Sequence, residues 1–153
     1  MSPGGDDQSG PTGPRIAILD YRMGNLRSVE KALQRTGAQV EVTGDPSRAE
    51  LADGIVLPGV GAFPEAMRHI REREFDTLVG ATLAAAKPVL GICLGMQVLF
   101  ESSSEHEGAW GLGLLQGRVE RLDAGDLKVP QLGWNEVRWT RSSRLVDQIP
   151  NPG

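Results

Sequence analysis

PVLGICLGMQ, residues 88–97, reads as a short apolar strand that stops at Gly-x-Cys-x-Gly and passes at once into a helix. A buried strand that delivers one residue into a sharp turn and then a helix is a nucleophile elbow, here with Cys93 in the position serine often holds. Gly91 and Gly95, two residues to either side, let the backbone turn without Cβ collisions and present the sulfur above the strand end. The helix behind, predicted over 94–101, puts partial positive charge near the thiol and favours the thiolate, and the Leu94 amide is free to stabilise an oxyanion. The plain alternative is a small packing residue, the usual fate of a free cysteine. The strand, turn and helix around Cys93 favour the nucleophile.

The same texture extends toward the N-terminus. RIAILD at 15–20 is an apolar run of the kind a parallel strand buried on both faces shows. Over 25–35 the apolar residues Leu26, Val29, Ala32 and Leu33 recur at helical spacing, and Gly37 stops the helix. Strands follow at 39–43 and 53–57, joined by a polar connection through Asp45 and Pro46, with helices at 64–75 and 77–86 before Pro88. Parallel strands need crossovers, and crossovers in one sheet are right-handed, so the alternation predicts a doubly wound, flavodoxin-like α/β domain with a mostly parallel sheet. From Gly108 onward GLGLLQGRVERL and KVPQLGWNEVRW alternate apolar and polar residues with Gly and Pro at turn positions, which predicts a few antiparallel strands in the C-terminal part.

Composition narrows the function. The 153 residues suit one domain, and sixteen basic against twenty acidic side chains, with no basic run, disfavour a nucleic-acid partner. Cys93 is the only cysteine, so no internal disulfide can form, and the chain reads as cytoplasmic. Residues 1–14 lack the basic start and apolar core of a signal peptide and read as a disordered tail. No run is long enough for a membrane span, and no His, Cys and carboxylate set has metal-ligand spacing, so neither a metal nor a cofactor is expected.

A second motif supports the first. LPGVGAF at 57–63 ends a strand in a Pro-Gly-x-Gly loop at the carboxyl edge of the sheet, where open α/β sheets bind ligands. Its backbone amides can approach a substrate or a developing oxyanion, although alone it could be only a tight turn.

Together DYRMGNLRSV, LPGVGAF, GICLGMQVLFE and PQLGWNEVRW make residues 15–139 resemble the glutaminase subunits of imidazole glycerol phosphate synthases, class I (triad-type) glutamine amidotransferases of histidine biosynthesis. The Gly-x-Cys-x-Gly-x-Gln element alone marks only the wider superfamily, and the other three segments narrow it. The resemblance implies that residues 15–153 form a glutamine amidotransferase domain, incomplete at its C-terminus, in which Cys93 attacks the glutamine carboxamide, forms a thioester and releases ammonia. It implies Gly59, Val60 and Gly61 as the oxyanion loop with Leu94, and Gln97 and Gly61 as substrate-binding. The ammonia would pass to a cyclase barrel partner that makes imidazole glycerol phosphate and the aminoimidazole carboxamide ribotide, docked through Asn25, Trp134 and Asn135.

The sequence departs from that pattern at the base. The family's catalytic histidine and glutamate stand in a C-terminal His-x-Glu motif, which is absent from these residues. His106 lies beyond the predicted 94–101 helix, which would carry it roughly 12 Å from Cys93 at about 1.5 Å per residue. His69 reads as a solvated helix histidine between Arg68 and Arg71, and residues 102–105 with Glu107 as a solvated helix end. These 153 residues alone are therefore expected to be a poor or inactive glutaminase. Arg22 stands where the family has a small residue, and Gln131 precedes GWNEV where histidine is common. Three other readings compete: the glutaminase of another synthase, such as one making anthranilate or pyridoxal phosphate, a non-catalytic partner-binding domain of the same fold, and a cysteine-based redox domain. Gln97 and GWNEV have no role in the last.

Overall fold

A computed structural model describes residues 13–130 and 132–149. The expected tail at 1–14 therefore lies outside the described residues except for Gly13 and Pro14, as does Gln131. Gly13 and Pro14 are tied down, since the Gln39 amide donates to the Pro14 carbonyl at 2.9 Å and the Gln39 side chain to the Gly13 carbonyl. The contacts divide the chain into two compact units, one ending at Arg121 and one beginning at Leu122.

The first unit is built on four parallel strands, β1 (Arg15–Leu19), β2 (Gln39–Thr43), β3 (Gly54–Gly59) and β4 (Val89–Cys93), in the order β2-β1-β3-β4. That order reverses direction between β1 and β3, the arrangement of a flavodoxin-like doubly wound sheet. Right-handed crossovers then put α1 (Leu26–Gln34) on one face and α2 (Pro46–Glu50), α3 (Phe63–Glu72) and α4 (Phe75–Ala84) on the other. On the second face Ala17, Leu19, Ile55 and Leu57 pack with Phe63, Met67, Ile70, Phe75 and Val79 in one buried cluster. Ile18 and Val56, which alternate with them along β1 and β3, are equally buried toward the α1 face.

Each boundary has a local cause. Asn25 caps α1, its side chain accepting from the Ser28 amide at 3.3 Å, and Gly37 leaves the helix at φ +87°. The connection expected through Asp45 and Pro46 is instead the one-turn helix α2. Asp45 caps it by accepting from the Ser47 amide at 2.9 Å, and Pro46 occupies the first turn, where its missing N–H costs nothing. The helical stretch after β3 breaks earlier than expected, at Arg73 and Glu74, and Phe75 opens α4. Arg22, at φ +69°, holds a left-handed conformation that a glycine adopts at lower cost, which explains why the position suits a small residue.

The largest correction concerns the helix after Cys93. It is the single turn α5 (Leu94–Gln97), and the chain then enters β5 (Phe100–Ser103). The amides of Leu112, Leu114 and Leu115 donate to the carbonyls of Val98 and Leu99 at 2.8–2.9 Å, so these backbone groups are drawn into a second sheet rather than a longer helix. That sheet has the order β6-β5-β7, with β6 (Ala109–Trp110) antiparallel to β5 and β7 (Leu115–Val119) parallel to it. The second unit contains no helix or strand among its described residues, so the strands expected from the alternating pattern of KVPQLGWNEVRW are not seen at 128–130 and 132–139, where the backbone is irregular. At the turn over 144–148, Asp147 accepts from the Ser143 amide at 3.0 Å and from the Ser142 hydroxyl.

The end of α4 offers a test of this local logic. The Lys87 amide donates to the Thr82 carbonyl and the Ala86 amide to the Leu83 carbonyl, a Schellman ending whose left-handed residue is Ala86, at φ +56°. Ala86→Gly should stabilise the chain by about 1 kcal/mol and raise Tm by about 3 °C, read by thermal denaturation.

Candidate active site

β3 and β4 end side by side. Their parallel register pairs Pro58 with Ile92 and Gly59 with Cys93, so the loop that leaves β3 and the turn that leaves β4 start from neighbouring positions at the carboxyl edge of the sheet. Cys93 is exposed and has φ +54° and ψ −118°, a conformation that L residues rarely adopt and that aims the thiol away from the strand it ends. This is the elbow the sequence predicts.

Gly91 and Gly95 serve it by proximity, as neither has positive φ. A methyl on Gly91 would lie 2.5 Å from the Met96 Cα and 2.7 Å from its amide nitrogen. One on Gly95 would run into the Leu57 carbonyl oxygen. Bare backbone on both is what lets α5 sit against β3 and β4 closely enough to close the turn. Because α5 is one turn long, any electrostatic help to a thiolate comes from the first-turn amides rather than from a long aligned dipole.

The loop after β3 is packed from several directions. Gly59, expected in the loop, is the last residue of β3 and is buried, while Val60 is 56% exposed. Gly61 has φ +108°, so this position needs glycine for its backbone, while a methyl there would meet only the movable end of the Met23 side chain. The Phe63 amide, in the first turn of α3, donates to the Glu105 carboxylate at 2.7 Å. Ala62, at the N-cap of α3, has no side chain that could cap it, and a carboxylate at a helix N-terminus is the favourable substitute. Glu105 therefore belongs to the loop's support and not to a solvated helix end. Tyr21, fully buried, donates its hydroxyl to the Pro58 carbonyl. Burial pushes that hydroxyl well above the usual phenol range, and charge at Cys93 pushes it the same way, so the group stays a neutral donor.

Gln97 ends α5 and is half-buried. Asn25 is the α1 cap. Trp134 is fully exposed, and Asn135 is also exposed, both in the second unit. The His69 side chain is only 12% exposed and sits 3.2 Å from the Arg68 guanidinium, 3.5 Å from Glu72 and 3.8 Å from Glu65, so it is packed among charged neighbours and not simply solvated. The long helix expected to distance His106 does not exist; His106 is an exposed turn residue between β5 and β6 whose carbonyl accepts from the Ala109 amide. Neither histidine hydrogen-bonds Cys93 among the described residues. A cavity of about 450 Å³ opens between β1, β2 and α2, lined by residues such as Ile16, Glu41 and Arg48, and it does not include Cys93.

The family model for "Glutamine amidotransferase class-I" matches residues 17–149. The chain belongs to the class I glutamine amidotransferase family. Among curated relatives, imidazole glycerol phosphate synthase subunit HisH of Moorella thermoacetica is 50% identical over 135 residues, 88% of this chain and 64% of that protein. The subunit of the same name from Bacillus cereus is 51% identical over 130 residues, covering 85% of this chain and 62% of the relative. The chain thus spans somewhat less than two-thirds of the length of these relatives. A solved glutamine amidotransferase superposes with a TM-score of 0.62 at 22% identity, over 72% of this chain and 58% of that one. A putative peptidase E from Listeria monocytogenes superposes with 0.54 at 14%, over 71% and 66%. Both likenesses are of fold.

The close approach at Gly95 and the open space at Gly80 give a paired prediction. Gly95→Ala should cost roughly 3 kcal/mol or more, because the new methyl meets backbone that cannot yield without separating α5 from β3. Gly80→Ala in α4, where an added methyl meets nothing within 4 Å, should instead gain about 0.5–1 kcal/mol. Urea denaturation of both variants checks the contrast.

Proposed function

We propose that this chain is the glutamine-hydrolysing part of an imidazole glycerol phosphate synthase. The observation that carries the reading is the strained Cys93 elbow set in register beside Gly59, in a chain about half identical to HisH subunits. The Cys93 thiolate attacks the side-chain carbonyl carbon of glutamine, and the electron pair moves to the carbonyl oxygen. Amides of Gly59, Val60, Gly61 and Leu94 are the candidate donors to that oxyanion. Collapse breaks the C–N bond, ammonia leaves with an added proton, and water then cleaves the thioester to glutamate and restores the thiol.

Gln97 and Gly61 are assigned to glutamine binding. Asn25, Trp134 and Asn135 are assigned to docking on a cyclase subunit that receives the ammonia and forms the imidazole ring in histidine biosynthesis. The reaction is assigned to the cytoplasm, in keeping with a lone cysteine, and no described helix is long and apolar enough to cross a membrane. No metal or cofactor enters the scheme.

A proton acceptor for the thiol is needed, and no described side chain hydrogen-bonds Cys93. This observation also favours a second reading, a partner-binding domain that keeps the elbow without turnover. Glutamate release separates the two. Together with the cyclase subunit, a protein that completes this site should release glutamate, and Cys93→Ser should lower the rate roughly a thousandfold or more. The 153 residues alone should stay near background. Activity retained by Cys93→Ser would overturn the thioester mechanism.

A further inference from the structure

We propose that Tyr21 is a positioning residue for acyl transfer at Cys93, its hydroxyl holding the Pro58 carbonyl so that the amides following Gly59 face the sulfur. The inference rests on the glutaminase reading and adds a residue to it. Pairing between β1 and β3 stops at Ile18 with Val56, while β3 continues to Gly59 against β4 alone. Pro58 thus lies two residues beyond the last β1 partner, and the donor its carbonyl receives is the Tyr21 hydroxyl. No β1 residue pairs with Pro58, so on that side the Pro58–Gly59 peptide is held by the Tyr21 hydroxyl.

The place of the hydroxyl matters as much as the bond. A methyl on Gly59 would collide with the Tyr21 oxygen, and would also stand 3.0 Å from the Gly95 amide nitrogen and 3.1 Å from the Leu94 Cβ. The phenol therefore fits where the end of β3 meets the first turn of α5, beside both sets of candidate oxyanion donors. The segment that carries it is anchored in turn: the Asp20 amide donates to the Thr43 carbonyl at 2.9 Å, and a methyl added to Gly24 would lie in ordinary contact with Pro58 and Gly59. Rotation of the Pro58–Gly59 peptide would redirect the Gly59 amide and the start of the loop, and the hydroxyl opposes that rotation. A buried, neutral phenol can do this across the whole working pH range.

The test compares two reactions of the sole thiol. With the γ-(4-nitrophenyl) ester of glutamate, the Cys93 thiolate adds to the carbonyl, an oxyanion forms, and 4-nitrophenolate leaves without needing a proton, so a thioester and one equivalent of yellow product appear. With iodoacetamide, the thiolate displaces iodide and no oxyanion forms. Tyr21→Phe should slow the nitrophenolate burst about tenfold and leave alkylation within about twofold at every pH, because only the first reaction uses the loop amides. Substitution of Tyr21 by 4-aminophenylalanine, a weaker donor in the same place, keeps the ring should Phe fail to fold, and should give an intermediate burst with unchanged alkylation. Equal bursts in all three proteins, or burst and alkylation falling together, would overturn the role of Tyr21. Absence of a burst in the unsubstituted chain would instead remove the acyl-transfer reading itself, and this inference with it.

Discussion

The close approach of α5 to the ends of β3 and β4 is the constraint on which the site depends. Gly95 lies so near the Leu57 carbonyl, and Gly91 so near Met96, that any side chain at either position would force the turn open. The turn in turn imposes the φ of +54° at Cys93. Such a conformation persists only where surrounding packing over-determines it, and here the packing is the fully buried Leu57 and Val98 with the nearly buried Leu94. The energy of that core is what holds the Cys93 sulfur at an exposed strand end.

The loop facing the sulfur is built on a different principle. Its glycines supply freedom, since Gly61 at φ +108° has a conformation closed to other residues, and the contacts that limit that freedom come from outside the loop. Tyr21, Met23 and Gly24 reach it from the β1–α1 connection, Gly95 from the elbow, and Glu105 from the second sheet. Three segments far apart in sequence thus converge on one short loop. An oxyanion site needs its donors preorganised, because amides that must rotate into place during the reaction spend the stabilisation they provide.

This division explains what the sequence can and cannot disclose. The inner strand β1 matches its apolar run almost residue for residue, since burial on both faces writes itself into consecutive side chains, while the edge strand β2, QVEVT, alternates and is only partly buried. The elbow is legible because a tight turn and a close approach demand glycine at fixed offsets from Cys93. The length of α5 is not. Leu94, Val98 and Leu99 have helical spacing, but the carbonyls that would extend the helix are claimed by residues 112–115, a tertiary pairing that local periodicity does not encode. Glu105 and Tyr21 escape the sequence for the same reason: each acts on a backbone group about 40 positions away, Phe63 and Pro58 respectively. The helix α2 is a different case, because Asp45 followed by Pro46 carries the signature of a helix start, and a five-residue helix is simply too short to show the periodicity that would second it.

The carboxylate of Glu105 and the hydroxyl of Tyr21 bracket the loop chemically as well as spatially. One accepts from the first amide of α3 and the other donates to the carbonyl of Pro58, near the end of β3, so the peptide groups between Pro58 and Phe63 have both ends satisfied by groups outside them. A segment fixed at its ends, with glycine at 59 and 61, can still change the direction of its central amides without breaking either anchor. The bond to Tyr21 then controls the starting orientation, and the glycines control how easily it changes. A loop of this kind can hold its amides ready for an oxyanion while its ends remain part of the fold's permanent hydrogen bonding.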